Sequence, residues 1–214
     1  MAELGDEFAG AAYGGDRRDR DGDGGNDHLQ GNKGDDHITG SLNGKNLIRG
    51  GQNEDTLIGG HQRDMLIGDL DKDQLTGKGG SDFFVLRCDT AKEGNNGGDR
   101  DPSPGQGGGF GFNISPNLDE VDVITDFNNA EDYIILPGVM ELQDIWFEAE
   151  GASDTVIMVW HEGEAMAAGL LQGVSPSGVN ATRIIIGDLA GQMLASTGPD
   201  HYRDNPGLLD SFGL

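Results

Sequence analysis

The chain has 214 residues, of which 35% are hydrophobic, 6% are aromatic and 38 are glycine, a poor composition for a conventional packed core. Fourteen Lys and Arg against 38 Asp and Glu give a net charge of −24. That balance argues against binding nucleic acid or anionic membranes and suits a fold that carries bound cations.

Residues 1–21 are small, glycine-rich and then charged, and are expected to be flexible. They have no basic n-region and no apolar h-region, so no Sec-type signal is expected. No apolar run in the chain approaches the length of a membrane span, so no membrane insertion is expected. Asp19, Asp21 and Asp23 followed by Gly24 mimic the opening of an EF-hand loop. The twelfth position is Gln30 rather than the bidentate Glu such a loop needs, so an irregular first turn of the following repeats is the better reading.

From Gly22 to Val85 the chain reads as seven tandem nonapeptides, clearest at Gly31 to Thr39, GNKGDDHIT. They align on a polar sixth position, Asp27, Asp36, Asn46, Asp55, Asp64, Asp73 and Asp82. The apolar eighth position is Leu29, Ile38, Ile48, Leu57, Leu66, Leu75 and Phe84. Spacing is nine throughout except for one extra residue near Gly40. The glycine-rich half of each unit can turn sharply and aim carbonyls inward. The last three residues read as a very short strand with a single core-facing side chain. Two strands and two turns make one coil of a flattened solenoid, so alternate repeats stack about 4.8 Å apart. Asp27, Asn46, Asp64 and Asp82 then form one column of polar side chains, and Asp36, Asp55 and Asp73 the other.

Carboxylates at that spacing repel by roughly 1 kcal/mol in water and by several at an effective dielectric near 20. A hard divalent cation between turns removes the repulsion, and carboxylate plus carbonyl oxygens in a flexible loop favour Ca²⁺ over Zn²⁺ or Mg²⁺. The candidate ligands are the seven sixth-position side chains with the glycine turns at Gly22, Gly24, Gly31, Gly34, Gly50, Gly59, Gly68, Gly77 and Gly80. The fourth position, which favours Gly, is Asn53, Gln62 and Asp71 in the middle repeats; Asn and Asp tolerate a left-handed backbone better than Gln. The tightest ions are expected where Asp27, Asp36, Asp73 and Asp82 contribute, with weaker occupancy around Asn46 and Gln62.

The array resembles the RTX, or haemolysin-type, calcium-binding repeat G-G-x-G-x-D-x-U-x. The resemblance implies an all-β protein, a parallel β-roll spanning residues 22–87 that binds several Ca²⁺ ions. It also implies an extracellular protein exported by type I secretion with an uncleaved C-terminal signal. Millimolar calcium outside cells fits loops of this kind.

Residues 88–119 form a Gly/Pro/Asp-rich connection, longer than most ordered loops. Asp99 and Asp101 lie in it, and a solvated loop is the better reading of both. From Glu120 the segments VDVITDF, YIIL, IWFEAE, TVIMVW and RIII read as short strands. The D-x-I-x-D-F and D-x-I-x-L stretches, Asp122 to Phe127 and Asp132 to Leu136, resemble the segment C-terminal to the repeats in secreted metalloproteases and alginate epimerase modules. There the region is a short-stranded, β-sandwich-like C-terminal cap, here residues 120–187, closing the open end of the roll. Asp126 and Asp132 are read as stopping strands rather than binding calcium. Residues 188–214 are a tail, a possible secretion signal.

No catalyst is expected. His161-Glu162-Gly163-Glu164-Ala165 has Ala where H-E-x-x-H needs its second His. His28, His37, His61 and His201 suggest no ligand set, and Cys88 is the single cysteine, a plain buried or loop residue with no nucleophile pattern. Two function classes remain. One is a non-catalytic secreted calcium-binding protein with a structural, surface or matrix role. The other is a small extracellular enzyme or carbohydrate-binding module with its active surface in the cap, where Trp146 or Trp160 would be the stacking platform unless they are core.

The outward positions seven and nine differ between the two faces. One carries Leu47, Met65, Ile67, Phe83 and Val85 side by side, and the other stays largely polar. The apolar face around Met65, Ile67 and Phe83 is therefore expected to be covered, by strands after Glu120 folding back or by another subunit.

Overall fold

The computed structural model describes residues 11–13, 19–22, 24–86, 113–139, 141–161 and 163–187. Cys88, Asp99, Asp101, His201, most of the 88–119 connection and the 188–214 tail lie outside the described residues.

The nonapeptide period produces the two expected stacks of parallel strands. One sheet runs β1 (Ala11–Tyr13), β3 (His28–Lys33), β5 (Leu47–Gln52), β7 (Met65–Asp69) and β9 (Phe83–Val85). The facing sheet runs β2 (Asp19–Asp21), β4 (His37–Thr39), β6 (Thr56–Ile58) and β8 (Gln74–Thr76). Successive strands in the chain alternate between sheets, so each coil of the roll is two nonapeptides. The sheets begin inside the segment expected to be flexible. β1 pairs in parallel with β3, and β2, which holds Asp19 and Asp21, pairs with β4. Those two aspartates therefore sit on a strand of the first coil rather than in a helix-flanked loop.

Register places the eighth positions over one another. Leu29, Ile48, Leu66 and Phe84 stack on one sheet and Ile38, Leu57 and Leu75 on the other. All seven are buried in a single apolar core between the sheets. The turns adopt the left-handed backbone that the composition allows, at the fourth positions Gly34, Asn53, Asp71 and Gly80. Gln62 does not adopt it, in keeping with the steric cost of a longer side chain there. Second positions use it too, at Asn32, Gly51, Asp69 and Lys78.

The C-terminal cap continues the roll's own two sheets face to face. β10 (Val123–Ile124) pairs in parallel with β8, and β11 (Tyr133–Ile135) with β9. β15 (Ile184–Ile185) then closes the first sheet against β11. On the second sheet β14 (Glu164–Leu171) pairs in parallel with β10 and extends into an antiparallel meander with β13 (Asp154–His161) and β12 (Ile145–Glu150). Ile124 and Ile134 prolong the two columns of core residues.

The apolar outer face is closed within one copy of the chain. Leu47, Met65, Ile67 and Phe83 are 0% exposed. Among the described residues, the strands after Glu120 lie beside this face rather than over it. β11 and β15 instead lengthen the same face, adding Tyr133, Ile135 and Ile185 to its cluster. Tyr133 stacks on Phe83 at 5.2 Å, and the guanidinium groups of Arg63 and Arg183 lie over Phe83 and Tyr133 at 5.8 and 4.7 Å.

Candidate metal centre

Each repeat delivers its sixth-position carboxylate to the same place by the same contacts. The strand just after it is hydrogen-bonded to the previous coil, as in Thr56 N–H to Asp36 C=O (2.8 Å) and Gln74 N–H to Asp55 C=O (2.9 Å). Between coils, the N–H of one aspartate donates to Oδ1 of the next, Asp36 to Asp55 at 2.7 Å and Asp55 to Asp73 at 2.8 Å. The carboxylates thus climb each side of the roll as a hydrogen-bonded column.

The first glycine of the repeat is required by this packing. A Cβ at Gly22, Gly31, Gly50, Gly59, Gly68 or Gly77 would collide with Oδ2 of its own repeat's aspartate, Asp27, Asp36, Asp55, Asp64, Asp73 or Asp82. Gly80 cannot carry a side chain either, because it would meet the backbone of Gln62. Gly24 and Gly34 serve through their positive φ instead; around Gly24 there is open space.

Oδ1 of Asp55, Asp64, Asp73 and Asp82 accepts an N–H from the coil before it, so there the second oxygen decides what the site can hold. Oδ2 of Asp55 and of Asp73 is buried without a hydrogen-bond partner. Leaving a buried carboxylate oxygen unpaired costs several kcal/mol, on the order of the desolvation penalty of an ion. Burial accordingly pushes the carboxyls of Asp55 and Asp82 up to about 8 and that of Asp64 to about 6, and burial with Asp122 and Asp55 beside it raises Asp73 well above its ordinary value. An oxygen-only donor set with surplus negative charge fits a calcium ion, which would neutralise the column and fill the orphaned coordination. Among the described residues no group of three or more His, Cys, Asp or Glu converges on one point, so carbonyls or water would complete the shell.

Asn46 differs from its neighbours as the sequence suggests. Its amide donates to Ser41 C=O (3.1 Å), Gly44 C=O (3.2 Å) and Asp64 Oδ1 (2.7 Å). Asp64 Oδ2 accepts from Gly60 N–H at 2.5 Å, so both of its oxygens are served. On this side the chain supplies its own donors.

Two aspartates of the cap enter the columns and a third bonds to a turn of the last repeat. The N–H of Asp73 donates to Asp122 Oδ1 and that of Asp82 to Asp132 Oδ1, both at 3.0 Å. Asp126 accepts from Gly77 and Lys78 N–H. Sequence reasoning did not place Asp122 and Asp132 in the columns. The signal was D-x-U-x, in Asp122-Val-Ile-Thr and Asp132-Tyr-Ile-Ile, without the glycine-rich half that marks the other repeats.

His161 and Glu164 face each other across the β13–β14 hairpin, not along a helix as zinc ligation by H-E-x-x-H requires. Trp160 is 56% exposed, not core, and its ring lies 6.3 Å from that of Trp146.

The RTX calcium-binding nonapeptide repeat, in a four-copy form, matches residues 21–43, 42–75 and 49–84. No curated protein matches the sequence. Solved structures with a partial likeness include two chains from enzymes. One is the AlgE6R2 subunit of the Azotobacter vinelandii mannuronan C5-epimerase, at 18% identity, covering 81% of this chain and 90% of that one, with a TM-score of 0.40. The other is extracellular lipase LipA from Serratia marcescens, at 13% identity, covering 81% of this chain and 38% of that one, with a TM-score of 0.31. The repeated Asp-x-U-x columns, the left-handed turns and the match agree, so residues 21–84 are RTX calcium-binding nonapeptide repeats.

Proposed function

We propose that this is a secreted, non-catalytic calcium-binding protein whose repeats fold on binding several Ca²⁺ ions outside the cell, in a structural, surface or matrix role. The observation that supports it best is the buried, unpartnered second oxygen of Asp55 and of Asp73. A chain of net charge −24 stacks these groups at strand spacing, where repulsion outweighs the gain from one core residue per nonapeptide unless cations intervene. Ion binding to sites absent from the unfolded chain then becomes folding free energy. The test is circular dichroism and hydrodynamic radius of the full chain in EDTA, in millimolar calcium and in equal magnesium. Loss of β signal and expansion in EDTA, reversed by calcium and not by magnesium, is expected; unchanged signal and radius on chelation would sink the reading.

A second reading has one observation in its favour. The exposed Trp160 beside Trp146, on adjacent antiparallel strands of the cap, is the kind of aromatic platform on which a sugar ring stacks. Quenching of tryptophan fluorescence by neutral polysaccharides, lost in Trp160→Ala, would favour a carbohydrate-binding module over a purely structural protein.

A further inference from the structure

We propose that Asp122 and Asp73 hold a calcium ion outside the nonapeptide array, one that ties the C-terminal cap to the roll. The inference rests on the calcium-binding reading of the repeats and extends it to a residue 38 positions beyond the last matched one, Asp122 against 84.

Asp122 is completely buried. Its Oδ1 accepts from Asp73 N–H and from the Asn113 amide, at 3.0 and 2.6 Å. Its Oδ2 has no partner, and neither has Oδ2 of Asp73. Asp126 and Asp132, which also bond to the repeats, lack this feature. Both oxygens of Asp126 accept backbone N–H groups, and so do both of Asp132. Nearby Asp69 has its own cation, its carboxylate clasped by Arg49 at 2.7 and 2.9 Å. No Lys or Arg forms an ion pair with Asp73 or Asp122 among the described residues.

Register gives Asp122 the place of a repeat aspartate. Val123 N–H donates to Asp73 C=O at 2.8 Å, the bond that Gln74 makes to Asp55 one coil earlier. Two buried carboxylate oxygens without hydrogen-bond partners, on hydrogen-bonded neighbours of one column, select a hard cation with a flexible shell, Ca²⁺ before Mg²⁺. Because the two ligands are 49 residues apart in sequence, an ion here makes docking of the cap, and not only coiling of the repeats, depend on calcium.

The test is the number of Ca²⁺ ions held by the full chain, counted by native mass spectrometry for wild type and Asp122→Asn, with far-UV circular dichroism in saturating calcium as the folding control. One ion fewer in Asp122→Asn, the remainder retained, is expected. An equal count in a folded Asp122→Asn overturns this inference and leaves the repeat sites standing. A wild-type chain that binds no calcium overturns both. Should Asp122→Asn not fold, calcium anomalous scattering from wild-type crystals decides. An ion about 2.3–2.6 Å from both carboxylates supports the site, and its absence in crystals that hold calcium elsewhere overturns it.

Discussion

Asn46 stands where the other repeats place aspartate, and its amide does at that turn what a bound cation would do at the others. It donates to two turn carbonyls and to the Asp64 carboxylate, the classes of acceptor an ion would take. Asn46→Asp should therefore destabilise the calcium-free chain by about 1–3 kcal/mol for each buried acceptor left unmet. Denaturant unfolding in EDTA measures it, and unchanged stability would show that the amide is incidental. Where the chain supplies no donor, the ion matters more. Asp55→Asn and Asp73→Asn each remove a charge from an orphaned oxygen and should raise the calcium midpoint for folding about tenfold or more. Asp64→Asn should raise it less, because N–H groups already serve both Asp64 oxygens. Equal midpoints for the three variants would contradict this ranking.

The coils of the first sheet are joined by more than strand pairing. Arg49 on β5 grips Asp69 at the end of β7 through two hydrogen bonds, and both side chains are nearly buried. Truncating one member of such a pair leaves a desolvated charge. Arg49→Ala should thus lower stability by about 3–5 kcal/mol, seen as a lower denaturation midpoint in saturating calcium; a loss within experimental error would mean water replaces the guanidinium. This clasp was not legible in the sequence, because 20 residues separate its members and nothing local marks them as partners. The strands themselves were legible. A nine-residue period with one apolar position fixes which side chain enters the core, and Leu29 through Phe84 all do. The columns' continuation through Asp122 and Asp132 was not. Residues 88–119 break the period, and the cap keeps only the strand half of the repeat, whose D-x-I-x pattern alone reads as any short strand. The outer apolar face was foreseen as covered from five side chains on one sheet, yet its extension by Tyr133, Ile135 and Ile185 depends on strand order, which the period does not encode beyond the repeats.

For the whole molecule, stacked buried carboxylates link folding, calcium and protons. Burial raises the carboxyls of Asp55 and Asp82 from an ordinary 3.8 to about 8 and that of Asp64 to about 6 in the cation-free fold. A group whose folded value lies above its unfolded one stabilises the fold fully below the unfolded value and loses that contribution as pH rises through the folded value. The calcium-free roll is therefore most stable in acid and weakens progressively from about pH 4 to about pH 8. Calcium acts in the opposite sense, because it must displace those protons. Its apparent affinity should rise with pH, about tenfold per unit for each proton displaced while pH stays below the raised values, and level off above about pH 8. Calcium titrations followed by far-UV circular dichroism at pH 6, 7, 8 and 9 measure the midpoint, and titration in weak buffer detects the released protons directly. A midpoint that does not move between pH 6 and 8, with no proton release, would mean that the carboxylates stay ionised in the empty roll and that something other than burial sets the strength of its calcium sites.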